Sequence, residues 1–247
     1  TADCYWPYPR LLCLIMSLAK ASIWTAGSTL IKIGAGLLVV KLLAVSFGPT
    51  GVGLAGNFRQ LITVLGVLSG AGIFNGVTKL IAQYQDDDIQ RKKVLGTSSS
   101  MILLFSTLLA ILFLLFSAPI SQVLFGDGYH QYQDIVRAVA FIQMGIAYSN
   151  YFLAILKGYR DAAGNALSVI AGSIIGVVAY YLCYLFAGYH GALIGLALVP
   201  ALILFPATFL VAKRKRFALS ELKPHWDKAI AGHLGKFTIM AILTSIT

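Results

Sequence analysis

"GVLSGAGIFNGVTK", residues 66–79, lies inside a long apolar run yet holds four glycines, Asn75 and Lys79. Two overlapping small-xxx-small pairs run through it, Gly66/Gly70 and Gly72/Gly76. In a water-exposed helix each glycine would cost about 1 kcal/mol relative to alanine. In a bilayer the same glycines have a use. Spaced four apart, they let a second helix approach closely. Clustered, they weaken one helix enough to bend it. The surrounding composition decides between the two settings.

That composition belongs to a membrane protein. Of 247 residues, 58% are hydrophobic and only 11% are charged. Soluble domains carry about 25% charged residues. Mean hydropathy is +0.82. A membrane helix needs roughly 20 mostly apolar residues, and six segments supply them: 20–47, 52–84, 96–120, 135–156, 163–186 and 192–212. A seventh apolar run starts near Ile230 and continues to Thr247. Turn signals fall between the segments: "FGPTG" at 47–51, "FGDGYHQYQD" at 125–134, "RDAAGN" at 160–165 and "AGYHG" at 187–191. No segment alternates polar and apolar residues as a membrane β-strand would. The expected fold is an all-α integral membrane protein. Residues 1–15 precede Met16 and read as a non-native extension, 16–212 as a six-helix unit and 213–229 as a basic linker. Residues 230–247 read as the start of a seventh helix, so the whole reads as a fragment.

Several chemistries find no residues to carry them. Cys4, Cys13 and Cys183 form no CxxC pair or disulfide framework, and the four histidines lack metal-ligand spacing. "DDD" at 86–88 is the only acidic cluster, and it reads as a solvated loop. No metal and no cofactor is expected. The net charge of +10 reflects topology and attraction to anionic lipid rather than a nucleic-acid partner. Loops 48–51, 118–133 and 187–191 contain no lysine or arginine. The alternate loops are rich in them: Arg91, Lys92 and Lys93; Lys157 and Arg160; then Lys213 to Arg216, Lys223 and Lys228. Positive loops stay cytoplasmic, so the expected amino terminus is cytoplasmic.

A smaller set of charges lies within the helices. Lys32, Lys41 and Arg59 sit well inside, and Lys79 and Arg137 sit nearer helix ends. All nine acids fall in loops, tails or edges. A mid-membrane charge costs about 2.5–3.5 kcal/mol even on the lenient insertion scale, so three facing lipid would cost roughly 8–10 kcal/mol. A wet cavity or an anionic partner removes that cost. Counted from the first turn, Lys41 and Arg59 lie about 13 Å deep at 1.5 Å per residue, and Lys32 lies deeper. Thr25, Ser28, Thr29 and Lys32 form a polar stripe at helical spacing. The candidate binding residues are Lys32, Arg59, Lys41, Asn75 and Arg137. Against this, Lys20, Lys41 and Lys79 have the option of snorkelling to the interface, and Arg137 of pairing with Asp134 three residues earlier. Gly66, Gly70, Gly72 and Gly76 are the candidate hinge, with static close packing as the other reading. Gly172/Gly176 and Gly191/Gly195 repeat that packing pattern.

The stretches "FGPTGVGLAGNFRQLITVLG" and "KGYRDAAGNALS" carry a resemblance. From Met16 onward the chain resembles the amino-terminal half of Wzx-type flippases, the polysaccharide branch of the multidrug/oligosaccharidyl-lipid/polysaccharide (MOP) exporter superfamily. It is nearest to the branch that serves enterobacterial common antigen synthesis. The resemblance implies a twelve-helix transporter of two six-helix lobes, of which this chain supplies the first, the linker and part of helix 7. It implies a bacterial inner-membrane location and no enzymatic step. It also implies a cargo: an anionic, undecaprenyl-pyrophosphate-linked oligosaccharide carried to the periplasmic leaflet by alternating access. Membrane lipids are partners, and the polymerase and chain-length machinery of the pathway are candidates. Other cargoes remain open at this point: an O-antigen or peptidoglycan lipid-linked precursor, or drugs. A membrane enzyme acting on a prenyl phosphate is the reading from a different class.

Overall fold

The computed structural model describes residues 9–70, 72–126, 129–213, 226–228 and 230–237, with side chains from Ala19 onward apart from Tyr129. The ends of the reading above, residues 1–8 and 238–247, lie outside the described residues, as does most of the linker. Among the described residues every regular element is helical. They are α1 (Pro9–Leu68), α2 (Ile73–Gln83), α3 (Asp88–Leu115), α4 (Ser117–Phe125), α5 (Gln133–Gly158), α6 (Ala162–Ala201) and α7 (Leu204–Lys213). A short 3-10 turn, Tyr129–Tyr132, precedes α5.

Two of these helices are too long to cross a bilayer once. Straight, the 60 residues of α1 would reach about 90 Å, three times a hydrocarbon core of about 30 Å. Each long helix instead reverses at a glycine. Gly48 has φ 66° and ψ −168°, and Gly188 has φ 56° and ψ −130°. Only a residue without Cβ holds such angles cheaply. Pro49 then opens the returning limb, where its missing N–H costs nothing.

The reversals show in the contacts. A Cβ on Gly36 would lie 3.4 Å from Nη2 of Arg59, a residue equally far beyond the turn. In α6, a Cβ on Gly172 would lie 2.6 Å from Cα of Ile203, and one on Gly176 2.9 Å from Cα of Val199. A Cβ on Gly195 would lie 2.9 Å from Cα of Tyr180. All three pairs straddle Gly188 symmetrically. This is small-residue packing that brings two backbones together.

Three expected boundaries move. The span 52–84 is two helices, one ending at Leu68 and the next starting at Ile73, with Gly72 at φ 76° before it. The span 96–120 starts earlier, at Asp88, and is interrupted at Phe116. Pro119 stands in the first turn of α4 and has no N–H to carry the ladder through. The span 192–212 breaks at Leu202 and Ile203, just ahead of Pro206. The loop aspartates have structural work. Asp87 accepts from the amides of Ile89 (3.1 Å) and Gln90 (3.0 Å), capping α3, and Asp88 pairs with Arg91.

The core has two parts. One lies toward the turns at Gly48 and Gly188 and includes Phe58, Ile135, Val136 and Leu193. The other lies toward the opposite end and joins Ile73, Val77, Ile81, Tyr151 and Ile155 to Ile230 and Leu234. Buried polar groups bridge helices within both. Gln143 donates to the Ser106 carbonyl at 2.6 Å, and the Tyr151 hydroxyl donates to the Leu95 carbonyl at 2.8 Å. Such bonds hold helices together where lipid offers no hydrophobic drive.

Candidate functional site

A cavity of about 630 Å³ opens between both limbs of α1, the start of α2, α5 and α6. Its polar lining is Lys32, Arg59, Thr63, Asn75, Asn150 and Ser173, with no carboxylate among the described residues. Helical spacing explains the grouping. Arg59, Ile62, Thr63 and Gly66 follow one another at three- and four-residue steps and all line it. The Thr63 hydroxyl donates to the Arg59 backbone carbonyl at 3.0 Å. The Arg59 guanidinium lies against the Gly36 backbone of the opposite limb. Neither Lys32 nor Arg59 forms an ion pair among the described residues, whereas Arg91, Lys93 and Arg137 all do. The cavity is therefore a local concentration of uncompensated positive charge.

The break at 69–72 borders this cavity, and Gly66 and Gly72 line it. The exposed backbone there finds partners. The Ile73 amide donates to the Gly70 carbonyl at 2.7 Å. The Gly66 carbonyl accepts from the Ser69 hydroxyl at 3.3 Å and, at a long 3.4 Å, from the Asn150 amide. Gly70 and Gly76 do not line the cavity. The place of a Cβ on Gly70 is filled by the Phe74 ring, and that on Gly76 by Leu234 and Phe237.

Two candidates stand elsewhere. Lys41 lines a separate apolar groove of about 610 Å³ between α1 and α6, beside Leu38, Val45, Val178 and Tyr181. It is nine residues after Lys32, two and a half helical turns, and so points to the opposite side of the limb. Arg137 is exposed and pairs with Asp134 at 3.1 Å. Lys79 is also outside, its Nζ 5.5 Å from the centre of the Phe237 ring. Asn150 and Ser173 are cavity residues that sequence reasoning passed over. Asn150 stands four residues after Ile146 and next to Ser149, and Ser173 stands beside Gly172 in a span that also holds Asn165 and Ser168.

The polysaccharide biosynthesis protein family model matches residues 18–228. The chain belongs to this family. It is 66% identical over 232 residues to the Lipid III flippase of Escherichia coli K12, covering 94% of this chain and 55% of that protein. The Lipid III flippase of Shigella flexneri matches to the same extent. A putative O-antigen transporter of Shigella flexneri is 29% identical over 176 residues, 68% of this chain and 41% of that one. The chain thus spans about half the length of the curated relatives it matches. Among solved structures, a MOP superfamily transporter from Pyrococcus furiosus superposes with a TM-score of 0.71 at 19% identity, over 92% of this chain and 52% of that one. A MATE transporter in its straight conformation gives 0.75 at 19% identity, over 93% and 53%. At that identity the likeness is one of fold. This member of the polysaccharide family is a multi-pass all-α membrane protein with the MOP transporter fold.

Proposed function

We propose that the chain forms half of a flippase for an anionic lipid-linked oligosaccharide, the undecaprenyl-pyrophosphate-linked precursor of enterobacterial common antigen. The carrying observation is the cavity that holds Lys32 and Arg59 with no acid in its wall. Pyrophosphate and uronate are the cargo groups that such a wall would bind best. Arginine meets phosphate with two parallel hydrogen bonds, and lysine adds a point charge. Both interactions gain strength where water is thinned. Asn75, Asn150, Thr63 and Ser173 supply neutral donors and acceptors suited to sugar hydroxyls.

The headgroup enters from the cytoplasmic leaflet, the prenyl chain stays in lipid, and rocking of two lobes exposes the headgroup on the other side. No covalent bond changes. The basic loops support an amino terminus on the cytoplasmic side of a bacterial inner membrane. A polymerase would receive the cargo outside. Drug export fits less well, because organic cations favour an acidic wall. An O-antigen or peptidoglycan precursor would satisfy the same cations, and the O-antigen relative keeps that cargo in view.

Complementation separates these cargoes. The sequence, carried in a full-length transporter, is expressed in strains lacking each flippase in turn. Return of common antigen alone supports the assignment. Return of O-antigen or peptidoglycan export without common antigen refutes it.

A further inference from the structure

The short helix α2 has two occupied sides. Phe74 and Asn75 face the cavity. The next residue, Gly76, faces the helical segment 230–237. A Cβ there would meet Leu234 at 2.9 Å and Phe237 at 3.0 Å. A side chain at that notch would require Leu234 and Phe237 to shift. Lys79, one turn on, holds the Phe237 ring from above.

The segment is itself anchored. Asp227 accepts from the Ile230 amide at 3.3 Å, capping the helical turn that follows. Its carboxylate pairs with Lys93 at 3.6 Å, and its amide donates to Thr97 at 3.2 Å. Ile230 and Leu234 are buried in the same core as Ile73, Val77 and Ile81. On its far side α2 is pinned to α5, where the Thr78 hydroxyl donates to the Ala154 carbonyl at 3.1 Å. At its start α2 is separated from α1, which ends at Leu68.

We infer that Gly76 and Phe237 are positioning residues that set Asn75 in the cavity wall. A displacement of segment 230–237 reaches Asn75 through the Phe237–Gly76 contact, and the break over 69–72 lets α2 answer without dragging the rest of α1. The inference rests on the cavity being the transport site, but its test does not depend on what is transported.

Asn75→Cys is introduced in a full-length transporter with Cys4, Cys13 and Cys183 replaced, and its alkylation by a water-soluble maleimide is timed in membrane vesicles. Phe237→Ala, 162 residues away in sequence, should change that rate fivefold or more. Phe186→Ala, on an 88%-exposed ring far from the contact, should leave it within twofold. Gly76→Val should change the rate as well, and adding Phe237→Ala to it should restore the rate to within twofold of the parent by relieving the clash. A change below fivefold with Phe237→Ala at normal abundance overturns the inference, and so does failure of the double variant to restore the rate. If these rates behave as stated while no oligosaccharide lipid is moved, the cargo assignment fails and the coupling stands.

Discussion

Arg59→Ala tests the cavity most directly. A hydrogen bond to a charged group contributes about 1.5–3 kcal/mol net, and each 1.4 kcal/mol is tenfold in affinity. Losing the guanidinium should thus weaken cargo binding by roughly 10- to 150-fold. Lys32→Ala should fall in the same range, since both side chains line one wall and neither has a carboxylate to turn to. Arg59→Lys should keep part of the activity, because charge survives while the two-pronged geometry is lost. Arg59→Glu should be worse than Arg59→Ala, since it adds repulsion. Removing a cation from an apolar helix eases insertion rather than hindering it, so abundance should hold. The assay is accumulation of undecaprenyl-linked precursor in the inner leaflet, normalised to protein abundance. Normal transport by both Arg59→Ala and Lys32→Ala at normal abundance would refute the cationic-wall mechanism.

Packing and topology give further expectations. Gly172→Ala should destabilise by about 1–3 kcal/mol, because its Cβ would lie 2.6 Å from the Ile203 backbone. Gly53→Ala meets nothing within 4 Å and should leave the thermal midpoint in detergent unchanged. Equal midpoints would mean that the α6 hairpin is looser than described. For topology, Thr50→Cys should react with an impermeant reagent outside intact spheroplasts, and Gln90→Cys should not. The reverse result would invert the direction of transport.

Much of the fold was legible because the membrane restricts it severely. Apolar length marked the chain as long membrane-type helices, and "GP" at 48–49 with "AG" at 187–188 marked the two reversals that turn long helices into hairpins. The breaks at 69–72, 116 and 202–203 were harder to place, since helices with prolines or clustered glycines often continue through them in membranes. The site was legible in one dimension only. Counting residues from the turn gave depth and put Lys41 level with Arg59. Depth says nothing of rotation, and the nine-residue step from Lys32 turns Lys41 to the far side of its helix. Asn150 and Ser173 escaped because a neutral polar residue in an apolar span usually bonds a neighbouring helix. Asn150 does both, reaching the Gly66 carbonyl while lining the cavity.

The broken helix and the unpaired cations explain one another. A helix interrupted within hydrocarbon leaves backbone groups that each cost several kcal/mol when unsatisfied. An isolated cation there is also costly. Facing lipid, the break over 69–72 and Arg59 would be two independent penalties. Facing one wet cavity, both are relieved by the same water. Ser69 and Asn150 donate to the Gly66 carbonyl, and the Ile73 amide donates to that of Gly70. The break sets α2 apart from the limb that carries Arg59. The wall is then built from two elements: a cation held on α1, and an amide carried on α2. A site that must bind a headgroup from one side and release it to the other needs a wall of that kind, because a rigid wall would hold both states with equal affinity and shift neither.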